Sequence, residues 1–264
     1  MTRRIGNMFR ELKAGGKKAF IPFIMAGDPD LEATIRLVPE LEHAGSHIIE
    51  LGIPFSDPVA DGPVIQRASA RALRHNYGIP DYLRAIESIR KVSRVPLMLF
   101  SYFNPVFQYG LEAFARDARA AGADGALITD ITPEESELYC SAMEANELDA
   151  IFLVAPTSGD ARVARIAACC RGFVYVVSRA GVTGAQERLS DTVVPTLQRV
   201  RAHTQLPIAV GFGISRPEQV QAVWSVADGA VVGSAIVSEI EKTSDPLALP
   251  SRIGEFCRRL TGKT

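Results

Sequence analysis

The run "FIPFIMAG", residues 20–27, leads directly into "DPDLEATIRLVPELEHA", residues 28–44. Its β-branched and aromatic residues read as a strand, and 31–44 carries apolar residues at helical period, so the chain opens with a strand-then-helix unit. The joint between them decides the fold. A doubly wound dinucleotide-type sheet would place Gly-x-Gly-x-x-Gly at this turn, and "GDPD" has no such spacing. Outward from here seven more strand-like runs follow: "HIIELGI" (47–53), "PLMLFSY" (96–102), "GALITD" (125–130), "DAIFLVA" (149–155), "FVYVVS" (173–178), "PIAVGFG" (207–213) and "GAVVGSA" (229–235). Helix-period segments such as "GLEAFARDARAAGA", "PEESELYCSAMEANEL", "TVVPTLQRVRAHT" and "RPEQVQAVWSVA" lie between them. Eight strands, each followed by a helix, in units of about 33 residues, predict a single (β/α)8 TIM barrel. It spans 1–264 as one domain, with a short N-terminal helix before the first strand.

Composition narrows the function. The chain is 47% hydrophobic and 22% charged, with a formal net charge of -1 and scattered basic residues. That is globular material without the basic footprint of a nucleic-acid binder or an anionic-membrane reader. The opening "MTRRIGNMFRELKAGG" has no apolar leader core, and no run reaches the ~18 apolar residues of a membrane span, so a cytoplasmic protein is expected. Cys140, Cys169, Cys170 and Cys257 lack metal-ligand spacing and read as reduced thiols.

In such barrels chemistry sits at the C-terminal ends of the strands. "HIIELGIPFSDPVADGP", residues 47–63, places three carboxylates there: Glu50, Asp57 and Asp61. Alternation sends Ile49, Leu51 and Ile53 toward the helix layer and Glu50 into the barrel mouth, where desolvation raises a carboxyl's proton affinity. A Glu paired with an Arg or with backbone donors is the structural alternative. Asp61, just before a helical stretch with Pro63, could simply be an N-cap. Alternatively the proline-stiffened loop holds Asp57 or Asp61 opposite Glu50, so that two carboxylates divide acid and base duties. Late in the chain, "SRAGVTGA", "GFGIS" and "VVGSAIV" put glycines at successive strand ends, the place where these barrels cradle phosphate. None of the six lysines (13, 17, 18, 91, 242, 263) stands at a strand C-terminal end, so a Schiff-base aldolase has no nucleophile. His43, His75 and His203 read as solvated helix residues and His47 as the wrong end of a strand, so no metal cluster is expected. What remains is carboxylate proton transfer on a small phosphorylated substrate.

The motif "ELGIPFSDPVADGP" (50–63) resembles, nearly letter for letter, the signature of the tryptophan synthase α-subunit family. "FIMAGDPD" (23–30), "SYFNPVFQYG" (101–110), "SRAGVTGA" (178–185) and "GFGIS" (211–215) resemble its other landmarks in the same order. The resemblance implies a retro-aldol lyase that cleaves indole-3-glycerol phosphate to indole and glyceraldehyde 3-phosphate without a cofactor in this chain. It further implies a β-subunit partner that carries pyridoxal phosphate, in an α2β2 heterotetramer. By motif position, Glu50 matches the acid/base, Asp61 the carboxylate on the indole N–H, and Tyr175 a tyrosine near the Glu. Gly184, Gly213, Ile214, Gly233 and Ser234 match phosphate positions, and Phe23, Phe100, Tyr102 and Leu127 the indole pocket. Thr183 matches the closing loop's threonine, while Asp57, Pro58, Asn104 and Pro133 match partner-facing positions. Met25 and Thr132 depart from common family residues but remove no catalytic group. Alternatives are a stand-alone indole-3-glycerol phosphate lyase, another phosphate-binding barrel isomerase, or a non-catalytic scaffold, which would need neither Glu50 nor Asp61.

Overall fold

The computed structural model describes residues 3–178, 192–211 and 213–262. In chain order the elements begin with α1 (Arg4–Ala14), β1 (Ala19–Met25), α2 (Leu31–His43), β2 (Ile49–Gly52), α3 (Pro63–Leu73), α4 (Ile79–Arg90) and β3 (Leu97–Ser101). There follow α5 (Phe103–Tyr109), α6 (Leu111–Ala121), β4 (Gly125–Ile128), α7 (Glu137–Ala145), β5 (Asp149–Ile151), β6 (Leu153–Val154), α8 (Asp160–Cys169) and β7 (Val174–Val177). The chain closes with α9 (Val193–His203), β8 (Ile208–Gly211), α10 (Pro217–Val226), β9 (Gly229–Val232), α11 (Ser234–Lys242) and α12 (Leu249–Thr261).

The strands are parallel in the order β5-β4-β3-β2-β1-β9-β8-β7-β6. The two ends of that order, β5 and β6, are successive pieces of one extended run. Residues 149–151 pair with β4 and residues 153–154 with β7, so the sheet closes on itself as the expected (β/α)8 barrel. The predicted fifth strand is broken at Phe152 because the segment changes partner there.

Parallel strands are covered on both faces, and the buried residues divide accordingly. Outward-facing Ile24, Ile49, Leu51, Leu99 and Val176 join the helices in one core. Inward-facing Ile21, Phe23, Ile48, Met98, Phe173 and Tyr175 form a second core inside the barrel. Helix α1 plugs the N-terminal end of that interior. Its Ile5, Phe9 and Leu12 are buried in the inner core, each worth about 1.5–3 kcal/mol at most. Arg3 and Arg4 pair with the buried Asp149 and Asp124 at 3.1 and 3.2 Å.

Several boundaries differ from the sequence expectation. The run 229–235 stops being a strand at Val232, because Gly233 caps and Ser234 begins α11. The helix expected from 133 begins at Glu137, after a turn in which the Ser136 hydroxyl donates to the Pro133 carbonyl. Single helices were expected between β2 and β3 and between β3 and β4, and each connection holds two. His75 is not helical. It lies in the turn after α3, with Nε2 2.6 Å from the Pro29 carbonyl oxygen and its ring stacked on Tyr77.

Candidate active site

Glu50 sits in the middle of β2, in register with Phe23 on β1 and Met98 on β3, and points into the barrel. It is 1% exposed, and its Oε1 is buried with no hydrogen-bond partner among the described residues. Among the described residues no arginine or lysine pairs with it. Burial pushes its carboxyl well above the ordinary carboxylate range. Beside it, Tyr175 of β7 is buried in the same interior, and both burial and the Glu50 charge disfavour its phenolate. Gly211 on the next strand makes room for Tyr175, since a Cβ there would overlap the phenol oxygen. Gly52 does the same for Phe23, whose Cζ would lie 2.6 Å from a Cβ at that position.

Asp61 reaches the same cavity from the β2–α3 loop. The N-cap of α3 is Gly62, so the capping role considered for Asp61 is not realised. Its carboxylate instead accepts a hydrogen bond from the Tyr102 hydroxyl, whose oxygen accepts from the Ala60 N–H at 2.9 Å. Gln66 Nε2 donates to the Asp61 carbonyl at 2.9 Å. Ser69 Oγ bridges the Phe55 N–H and carbonyl at 3.0 and 2.9 Å, and the Phe55 and Tyr102 rings lie 5.2 Å apart. The loop is thus held from α3 and from the end of β3. Burial raises Asp61 to about 6, against the lowering effect of the Tyr102 hydrogen bond. Two carboxyls in unlike environments result, Glu50 raised well above the ordinary carboxylate range and Asp61 raised to about 6.

Phe23, Phe100, Tyr175, Gly213, Gly233 and Ser234 line the cavity with the two acids. Phe23 and Phe100 meet edge-on at 5.4 Å and occupy much of it, leaving a free volume of 40 Å³, room for about one water. Also at the cavity, Gly213 has a φ of 84°, and α11 begins beside Phe23, with Gly233 as its cap and Ser234 as its first residue, so its first-turn amides lie at the cavity mouth. That is an anion-binding arrangement.

Comparison with known proteins decides what this constellation belongs to. The model of the family described as "Tryptophan synthase alpha chain" matches residues 9–260. Tryptophan synthase alpha chains of Solibacter usitatus and Geotalea uraniireducens are 49% and 48% identical, each alignment covering 97% of this chain and 96% of the relative. The chain belongs to the tryptophan synthase alpha chain family. A tryptophan synthase structure from Mycobacterium tuberculosis superposes with a TM-score of 0.91 at 37% identity, covering 99% of this chain and 98% of that one. The subunit alpha from Legionella pneumophila gives 0.89 at 37% identity, covering 99% of both. Family membership makes the chain a lyase of tryptophan biosynthesis, as its motifs implied.

Leu127 and Tyr102, expected at or beside the pocket, and Ile214, expected for a backbone contact, are not among the described residues that line the cavity. Leu127 is fully buried in the inner core but does not line the cavity, and the Ile214 side chain turns outward into the helix-side core. Tyr102 serves the Asp61 carboxylate rather than the cavity wall. Thr183 and Gly184 lie outside the described residues. Of the partner-facing set, Asp57 and Asn104 are exposed, and Pro58 and Pro133 half-buried, all in or after loops at the C-terminal end. Sequence reasoning missed two lining residues, Ile65 and Val231. Alternation in "GAVVGSA" places Val231 on the face of Gly229 and Gly233, so that signal was present. For Ile65, set by the pitch of α3, it was not.

The four cysteines are free thiols. Among the described residues, no three His, Cys, Asp or Glu side chains gather to hold a metal, and no helix is long and apolar enough to cross a membrane.

Proposed function

We propose that the chain cleaves indole-3-glycerol phosphate to indole and glyceraldehyde 3-phosphate, with Glu50 as acid and base and Asp61 as the counter-charge. The observation that carries this is the buried Glu50 carboxyl, whose Oε1 has no hydrogen-bond partner among the described residues and whose proton affinity burial raises. A neutral acid is what the first step needs: its proton goes to C3 of the indole ring, which becomes an indoleninium cation with its charge shared to N1. Asp61, an anion above about pH 6, accepts the N1–H hydrogen bond and stabilises that cation. The Glu50 carboxylate then takes the proton of the glycerol hydroxyl next to the ring. The C–C bond breaks, its electron pair returns to the ring, and the aldehyde leaves. The carboxyl ends as it began.

Tyr175 packs beside Glu50 and helps keep it dry. Phe23 and Phe100 supply flat apolar walls for the ring, and Gly213, Gly233, Ser234 and the start of α11 receive the phosphate. Thr183, Gly184 and the backbone at Ile214 complete this proposal by family position. The reading extends to a soluble, cytoplasmic α2β2 assembly, in which a β subunit carrying pyridoxal phosphate receives the indole. Asp57, Pro58, Asn104 and Pro133 face that partner, and the exposure of Val59 (78%) and Phe107 (59%) near them supports a docking surface on this side.

The test is indole release from indole-3-glycerol phosphate with and without the β subunit. Glu50→Gln should lose at least about a hundredfold, the usual share of a general acid/base. Undiminished turnover would sink the mechanism. A fast enzyme indifferent to added β subunit would point to a stand-alone lyase.

A further inference from the structure

Helices α3 and α11 carry the two halves of the site at their N-terminal ends. Asp61 lies two residues before Pro63, which opens α3, and the phosphate cradle opens α11 at Ser234. The helices pack side by side, and α11 also packs on β1. Behind the site they are cross-linked. Arg67 of α3 grips Glu241 of α11 with both prongs, at 2.8 and 2.7 Å, and Arg71 reaches the same carboxylate at 2.6 Å. The other edge of Arg71 makes two 2.8 Å bonds to Asp28, which is 1% exposed and follows β1, the strand that carries Phe23. Gln66, the residue before Arg67, holds the Asp61 carbonyl.

Exposed ion pairs contribute little to stability, and Arg67 is half exposed. The effect of this one is geometric. Paired forks of fixed shape set the spacing of two parallel helices and of the strand end between them. A nine-residue helix is a short rigid rod, so a pull at the Ser234 end by a bound dianion is delivered at Glu241, two turns on. From Glu241 it passes to α3, and through Gln66 to Asp61.

We propose that the Asp28–Arg71–Glu241–Arg67 network is a latch that couples occupancy of the phosphate cradle to the placement of Asp61. Arg67, Arg71 and Glu241 are then positioning residues for a reaction that they do not touch. The substrate's phosphate, remote from the bond that breaks, contributes through them to stabilising the charge on the ring. The inference rests on the proposed reading of the site.

The experiment cuts the substrate in two. Indole-3-glycerol without its phosphate is the reacting piece and phosphite dianion the added piece, with indole release as the readout. Wild-type protein must first cleave the intact phosphorylated substrate; if it does not, the proposed function itself fails. Given that, phosphite should raise kcat/KM for the truncated substrate. Glu241→Gln should cut that activation by about fivefold or more, while turnover without phosphite stays within about twofold of wild type. Arg67→Met should show the same split, and thermal melts should confirm that both variants fold. Three outcomes would overturn the latch: no activation in wild type, activation unchanged in the variants, or equal loss with and without phosphite. The last is what a merely structural role produces.

Discussion

Replacing Tyr102 by Phe tests whether Asp61 acts as an anion poised by its surroundings. The substitution removes one hydroxyl from a buried ring and leaves the ring's packing on Phe55 in place. In the wild type, burial lifts Asp61 to about 6 and the Tyr102 hydrogen bond opposes that rise. A hydrogen bond to a charged group contributes about 1.5–3 kcal/mol, and one pKa unit is about 1.4 kcal/mol. Its loss should therefore carry Asp61 up by roughly one to two units. The sign follows from the role. If the reaction needs the carboxylate, kcat/KM for indole release rises with pH through the Asp61 pKa, so the acidic limb lies near 6 in the wild type and near 7–8 in Tyr102→Phe. At pH 6.5 the variant should be slower by about tenfold, and by pH 9 most of the difference should be gone. The Ala60 N–H also loses its acceptor, but Ala60 is exposed and water can replace it. A variant with the wild-type acidic limb, or one uniformly slow at every pH, would refute the assignment of Asp61 as a tuned anion.

Two further outcomes follow from the same geometry. Asp61 has a folded pKa of about 6 against an ordinary 3.8, so its ionised form is destabilising in the folded state above that range. Asp61→Asn should then gain up to about 3 kcal/mol in urea unfolding at pH 8, a gain that fades as pH falls through 6 and is absent below about 4. Gly211→Ala should displace the Tyr175 ring from its place beside Glu50 and lower indole release more than it lowers stability. Normal turnover in that variant would show that Tyr175's position is immaterial.

The barrel was legible because parallel strands buried on both faces leave apolar runs that recur between amphipathic helices. The break at Phe152 was not, since a change of hydrogen-bond partner leaves no mark in "DAIFLVA". Glu50 could be placed inward by alternation alone, because Ile49, Leu51 and Ile53 fix the opposite face. Whether it was compensated could not be read, as that depends on side chains from other strands. Asp61 shows the opposite limit. "ADGP" suits an N-cap locally, but the cap fell to Gly62 once Tyr102, more than forty residues away, supplied a partner for the carboxylate. The ion-pair network of Asp28, Arg67, Arg71 and Glu241 left no sequence signal either, since its members span 28–241 and meet only when the barrel closes.

The protonation state of Glu50 tests the account most directly. Carbon-13 NMR of protein labelled at glutamate side-chain carboxyls, with the Glu50 signal assigned by its absence in Glu50→Gln, can follow that one group from pH 4 to pH 9. The account predicts a carboxyl still protonated at pH 7, because burial raises its proton affinity well above the ordinary carboxylate range. A Glu50 signal that titrates near 4.5, like a solvated glutamate, would contradict it.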